Sequence, residues 1–385
     1  MKANILCRII LGLVLGLVIV AANMVQAAVY HLYAGCYTGP QNKGIQYYKF
    51  DAATGQLSDG RLAAEVTNPT WVVAHPSGKY LYALSEVGGA GGGGITAYSV
   101  DLESGNLTRL NRQSSGGNGP CHLAVDRTGQ CLMVANYGGG SVASLPIRAD
   151  GTLGEAVSVI QHQGSSVNPQ RQKGPHAHAV GVAPDNRFVL VCDLGMDQVL
   201  TYRLTPERAM MAPAEPPFTP TTPGAGPRHL AWHPNGRWVY VINELNNTVV
   251  QYDYDAQKGT LKPRQTIGTL PSDFSGQNTT AEITVHPNGK FVYGSNRGHD
   301  SIVVYEVNPT TGNLSWVQHH PSGGRTPRHF SLDPTGRWLL SGNQTSGGLV
   351  VLAVDTVTGR LSDTGRRVET PAVCLEWVPA GKPKP

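Results

Sequence analysis

Short apolar runs alternate with clusters of Gly, Pro, Asn, Asp and Ser along almost the whole chain, and no long helical period interrupts them. Apolar runs bounded by turn residues predict strands. The runs also recur as a set, in which one strand leads through a turn of the His-Pro-Asn-Gly type into a second strand. The copies read Asn68-Pro-Thr-Trp-Val-Val-Ala-His-Pro-Ser-Gly, Gly119-Pro-Cys-His-Leu-Ala-Val-Asp-Arg-Thr-Gly and Gly174-Pro-His-Ala-His-Ala-Val-Gly-Val-Ala-Pro-Asp. Three more read Gly226-Pro-Arg-His-Leu-Ala-Trp-His-Pro-Asn-Gly, Thr279-Thr-Ala-Glu-Ile-Thr-Val-His-Pro-Asn-Gly and Thr326-Pro-Arg-His-Phe-Ser-Leu-Asp-Pro-Thr-Gly. Measured from Pro69, Pro120, Pro175, Pro227, Thr280, Pro327 and Pro371, successive copies lie 51, 55, 52, 53, 47 and 44 residues apart. A period near fifty, built of strands and turns alone, predicts an all-β fold, the β-propeller.

Each copy continues past the second strand. Thr248-Val-Val-Gln-Tyr-Asp-Tyr and then Lys258-Gly-Thr-Leu supply a third strand and the turn into a fourth. The chain ends hold the pieces of one further copy. Tyr30-His-Leu-Tyr-Ala-Gly, Gly44-Ile-Gln-Tyr-Tyr-Lys-Phe and Thr54-Gly-Gln-Leu match strands two to four, and Thr370-Pro-Ala-Val-Cys-Leu-Glu-Trp-Val matches strand one. Six full blades and one assembled from both termini make seven, with the termini closing the ring and removing its exposed edges. Two segments exceed the repeat, residues 161–173 and the proline-rich residues 205–224, and both read as surface loops.

Composition changes this picture in three places. Lys2 and Arg8 flank an apolar stretch from Ile9 to Ala22, and Val25-Gln26-Ala27 resembles a small-residue cleavage site. The reading is a signal peptide over residues 1–27 and a single domain over residues 28–385, periplasmic or secreted and released from the membrane once cleaved. Five cysteines remain after such cleavage, Cys36, Cys121, Cys131, Cys192 and Cys374, with no CxxC and no regular spacing. They read as small buried hydrophobes rather than a disulfide framework. Net charge is +4, with Lys and Arg at 30 against Asp and Glu at 26 and no basic run, which argues against nucleic acid as a partner.

In an antiparallel meander the start of strand one and the end of strand two lie at the same end. In a propeller both then surround one mouth of the central channel. The first-strand starts carry Thr70, Cys121, His176 or His178, Arg228, Glu282 and Arg328. The second-strand ends carry Glu86, Asn136-Tyr137, Asp193, Asn243-Glu244, Asn296-Arg297 and Asn343-Gln344. Asn at these ends suits turn conformations. The residue after it varies as Tyr, Glu, Arg and Gln, and arginines facing a channel need an anionic partner in the protein or in a ligand. Candidate substrate-binding residues are Asn136, Asp193, Asn243, Glu282, Asn296, Arg328, Asn343 and Gln344. His176 and His178, at i and i+2, share one face of a strand. They could act as a general acid and base, as metal ligands or as a packed pair. With no third ligand evident, no metal and no cofactor is expected.

Several ordered motifs resemble the seven-bladed propeller lactonases, a family containing propeller-type 6-phosphogluconolactonases and fungal carboxymuconate lactonizing enzymes. They are Gly174-Pro-His-Ala-His, Asp193-Leu-Gly-Met-Asp, Gly226-Pro-Arg-His-Leu, Asn243-Glu-Leu, Ser295-Asn-Arg-Gly-His-Asp-Ser-Ile and Asn343-Gln-Thr-Ser. The resemblance runs from about Tyr30 to Trp377. It implies that His176 or His178, Arg228, Glu244 and Arg297 are catalytic, and that the activity is hydrolysis of a small sugar-type or carboxylated lactone; a closed ring has no need of a partner subunit, so a monomer is expected. The other expectations are a cycloisomerase forming a lactone from an unsaturated dicarboxylate and a non-enzymatic binding propeller. No nucleophile-elbow motif is present, so a covalent acyl-enzyme is not expected.

Overall fold

Antiparallel strands joined by tight turns need only local chain reversal, and every copy of the repeat folds in this way. The computed structural model describes residues 29–40, 42–89 and 93–381, and these form seven four-stranded antiparallel sheets. Blade one consists of Val72–Ala74, Tyr80–Ser85, Gly94–Val100 and Leu107–Ser114. Blade two runs through Pro120–Val125, Cys131–Asn136, Ser141–Pro146 and Ser158–Gln161, and blade three through Ala177–Val182, Phe188–Asp193, Gln198–Thr205 and Met210–Pro220. Blade four holds Pro227–Trp232, Trp238–Asn243, Thr248–Asp255 and Thr260–Gly268, and blade five Thr279–Val285, Phe291–Arg297, Ser301–Val307 and Leu314–Pro321. Blade six is Arg325–Leu332, Trp338–Ser346, Leu349–Val354 and Leu361–Val368. The closing blade joins Cys374–Pro379 from one end of the chain to Val29–Gly35, Gly44–Asp51 and Gln56–Glu65 from the other. Its central pairing sets Leu32 opposite Trp377 and Tyr33 opposite Glu376. The expected leader, residues 1–27, lies outside the described residues.

The core sits between blades. Trp238, Tyr240, Ile242 and Val249 of blade four pack on Ile283, Val292, Val303 and Tyr305 of blade five, and the same sandwich repeats around the ring. Each fully buried aliphatic side chain contributes about 1.5–3 kcal/mol relative to exposure. Polar clamps recur beside it. His75, His233 and His286, from the strand-one turns, bring Nε2 to the carbonyls of Gly129, Gly289 and Gly336 one blade on, at 3.0, 2.8 and 2.9 Å. The hydroxyls of Tyr33, Tyr240 and Tyr293 donate to the carbonyls of Gly105, Gly312 and Gly359, again one blade on. Gly312 must be glycine, because its φ is +78° and a Cβ there would come within 2.5 Å of the Trp238 ring.

One expectation needs correcting. Residues 205–224 are not simply a loop, because Met210–Pro220 is the outer strand of blade three. An outer strand pairs on one side only, so prolines without an N–H are tolerated there. All five cysteines of the described chain are buried and free, as their scattered spacing predicts.

Candidate active site

The first strands are irregular at one level of the ring. In blades two, three, four, five and six the pairing of strand one with strand two slips next to Pro120, Ala177, Pro227, Thr280 and Pro327. Such β-bulges re-aim the side chain that loses its partner. The residues at the slips are Cys121, His178, Arg228, Ala281 with Glu282, and Arg328. In register, Ala177 rather than Pro175 is thus the counterpart of Pro227. His178 occupies the Arg228 position, and His176 lies just outside the strand.

Directly opposite the slips stand Asn136, Asp193, Asn243, Asn296 and Asn343. All five are at most 1% exposed. The amides of Asn136, Asn296 and Asn343 donate to the carbonyls of Ser115, Thr269 and Ser322, in the loops arriving from the preceding blade. That of Asn243 donates to Thr248 Oγ1. Asp193 accepts the backbone N–H groups of His176, Gly195 and Met196 and binds His162 Nδ1 at 2.6 Å. Four of the five thus tie an incoming loop to a strand end, Asn243 ties a turn of its own blade, and Oδ1 of Asn136, Asn243 and Asn343 is buried without a partner among the described residues. The residues following them vary, and Glu86, Tyr137, Glu244, Arg297 and Gln344 surround the mouth.

Glu244 is the centre of this mouth. Its Oε1 accepts from Arg171 Nη2 at 2.7 Å, while Oε2 lies 3.0 Å from Arg228 Nε and 3.0 Å from Arg297 Nη2. Burial alone would raise its pKa, but Arg297, Arg228 and Arg171 together bring it down to about 2. Arg228 is 2% exposed, and burial, with Arg297 and Arg328 close by, lowers it to about 10. Arg297 also donates to the Thr280 carbonyl at 2.8 Å, and its Nε is buried without a partner among the described residues. Arg328 packs over the Tyr37 ring with its guanidinium carbon 5.5 Å from the centroid, and no described side chain accepts from it. Tyr37 and Thr70 in turn donate to the Glu86 carboxylate. Four guanidinium groups therefore face two carboxylates.

The two histidines differ. His176 is half-buried and stacks on Tyr137 at 4.5 Å, and its Nδ1 lies 2.9 Å from the Tyr137 carbonyl. A carbonyl only accepts, so Nδ1 carries the proton and the neutral ring keeps its lone pair on Nε2. His178 is buried, meets the edge of Tyr137 at 5.3 Å, and leaves Nδ1 without a partner. Burial, then Arg228 and His229, push its pKa well below the usual histidine range. Glu282 is buried, and its Oε2 lies 3.0 Å from His229 Nδ1 rather than against any of the four arginines. Gln344 is half-buried at the rim. Among the described residues, no three His, Cys, Asp or Glu side chains are grouped to hold a metal ion.

Known proteins share this ring. The family described as Lactonase, 7-bladed beta-propeller matches residues 31–377. The chain belongs to that lactonase family. A 6-phosphogluconolactonase of Bacillus subtilis is 38% identical over 292 residues, covering 76% of this chain and 82% of the relative. A 6-phosphogluconolactonase of Formosa agariphila is 30% identical over 297 residues, covering 76% and 83%. Among solved structures, the periplasmic gluconolactonase of Pseudomonas aeruginosa superposes with a TM-score of 0.87 at 34% identity, covering 92% of this chain and all of that one.

In this lactonase-family chain sequence reasoning missed two residues of the mouth, Arg171 and Tyr37, and Arg171 is the more consequential. It comes from the polar segment 161–173, which is pinned at both ends. His162 is held between Asp193 and the Tyr202 hydroxyl, and Gln172 donates to the Leu194 carbonyl at 2.9 Å. Between these anchors Arg171 reaches Tyr137 Oη at 3.2 Å as well as Glu244. The available signal was the extra length before blade three, which points onto the mouth. Tyr37 was missed for a plainer reason, since it follows a strand end in a blade whose strands come from both termini.

Proposed function

We propose that the protein hydrolyses a small lactone bearing an anionic group, of the sugar-lactone type, and does so outside the cytoplasm. The observation that carries this reading is the excess of guanidinium over carboxylate at the mouth, with Arg328 free of any described partner. Buried or half-buried arginines without a full complement of acceptors favour a phosphate or carboxylate ligand. The activities named for the Bacillus and Pseudomonas relatives support the choice of a lactone, and the apolar leader with its Ala27 cleavage signal supports export.

Hydrolysis adds a water oxygen to the lactone carbonyl, breaks the ring C–O bond and delivers a proton to the ring oxygen, giving the open hydroxy acid. His176 is the base of this scheme, because its Nε2 lone pair is free and its Nδ1 proton is held by the Tyr137 carbonyl. It takes the proton from water and returns it to the leaving oxygen. Glu244 does not serve as the base: a carboxylate at about pKa 2, with both oxygens engaged, has little affinity for a proton. Its work is to gather three arginines. Arg228 has Nη2 uncommitted among the described residues and is suited to stabilise the oxyanion, while Arg328 is suited to the substrate's anionic group.

Proton release from glucono-δ-lactone and from its 6-phosphate, corrected for spontaneous opening and repeated with EDTA, tests the proposal. Turnover insensitive to EDTA is expected. His176→Ala should lower kcat by about 10²–10⁴-fold. Arg328→Ala should raise KM for the phosphorylated lactone far more than for the neutral one. Enzyme-independent rates on both substrates, or a fully active His176→Ala, would overturn the reading.

A further inference from the structure

Arg228 is held from two sides. Its Nε donates to Glu244 at the mouth, and Nη1 reaches inward to the Ala281 carbonyl at 2.7 Å and to His229 Nε2 at 3.0 Å. A guanidinium has no lone pair, so His229 Nε2 must accept. The His229 proton is then on Nδ1, and it is donated to Glu282 Oε2 at 3.0 Å. Glu282 is fixed in turn, with Oε1 accepting the Ile283 N–H at 3.0 Å and Oε2 lying 3.3 Å from His329 Nε2.

The remaining sides of the His229 ring are closed. His122 and His178 lie at 5.1 Å between ring centroids and the Trp71 edge at 5.4 Å. His229 is 3% exposed and Glu282 6%.

We infer that Glu282 and His229 are a positioning pair, reaching up the channel from behind the site to fix the plane of Arg228 and leave its Nη2 edge for the substrate oxygen. This rests on the lactone-opening reading above. The pair works only while His229 is neutral in one tautomer, since an imidazolium would turn two N–H donors on a guanidinium and a carboxylate and break the first contact. The surroundings favour that state. Burial first, then Arg228, His329 and Arg328, push the His229 pKa well below the usual range, while Glu244 opposes them weakly. Burial raises the Glu282 pKa, partly offset by His329 and Arg228.

Two substitutions at His229 separate positioning from space filling. His229→Leu fills the site but neither accepts from Arg228 nor donates to Glu282, whereas His229→Gln can do both through its amide. With folding verified by melting, His229→Leu should lose about 10–100-fold in kcat/KM for the lactone, as removing a group that orients a catalytic residue does. His229→Gln should recover most of that loss. Equal activity of the two folded variants would overturn the proposal. Ring-nitrogen NMR of the histidine-labelled protein at neutral pH reads the same pair without any substrate, with His229 assigned by its absence from His229→Gln. A neutral ring protonated at Nδ1 is expected, and protonation at Nε2 or at both nitrogens would sink the idea. Were the wild-type protein inactive on every lactone, the proposed function would fail while the NMR still judged the pair.

Discussion

The two faces of the ring use the same residue types for opposite ends. On the turn face His75, His233 and His286 occupy equivalent places and make equivalent contacts, each to a glycine carbonyl one blade on. On the mouth face His178, Arg228, Glu282 and Arg328 also occupy near-equivalent places, yet no two make the same contacts. A clamp between identical blades is one problem with one answer, so it recurs. A ligand is not seven-fold symmetric, so under the proposed function the side chains that shape its site would differ from blade to blade. In a propeller, repetition marks structure and its breakdown marks the site.

The comparison can be broken most severely by removing what closes the ring. Deleting Thr370 onward removes Cys374–Pro379 and strips Val29–Gly35 of its inner partner. Cooperative thermal unfolding should be lost, and a truncated chain that melts like full length would contradict closure by both termini.

Next in size is Glu244→Gln, which leaves three guanidinium groups around a neutral amide. Breaking a buried ion pair on one side costs about 3–5 kcal/mol, so both melting temperature and turnover should fall. The pH dependence has a definite sign. Glu244 sits near 2 in the fold against roughly 4.3 in the unfolded chain. Its contribution is complete above about pH 4.3 and disappears as the pH falls towards 2. Acid titration of stability should therefore be shallower in Glu244→Gln than in the wild type across that window.

The smallest effect belongs to the turn face. His233→Ala removes one of several equivalent clamps and should cost about 1 kcal/mol by denaturant titration, with turnover unchanged. A large loss of activity there would erase the distinction between the faces.

Much of this was legible in advance. The blade count and the ring closure follow from the spacing of turn residues and from the split copy at the termini, because strand-and-turn order is local. The mouth was legible as a level, since strand ends map to one end of a meander. Which side chains face it was not. Asn136 and Glu244 are both polar residues at strand ends, and only the incoming loop decides that one is spent on the Ser115 carbonyl while the other faces three arginines.

By itself the sequence determined the repeat, the number of blades, the way the ends meet and the level at which charged side chains gather, all of which depend on periodicity. Tertiary structure alone decided the register slip that puts His178 level with Arg228, and the delivery of Arg171 across 73 residues to Glu244. It also decided that Glu282 meets His229 and His329. Those outcomes depend on bulges and on contacts between blades, and neither leaves a period in the chain.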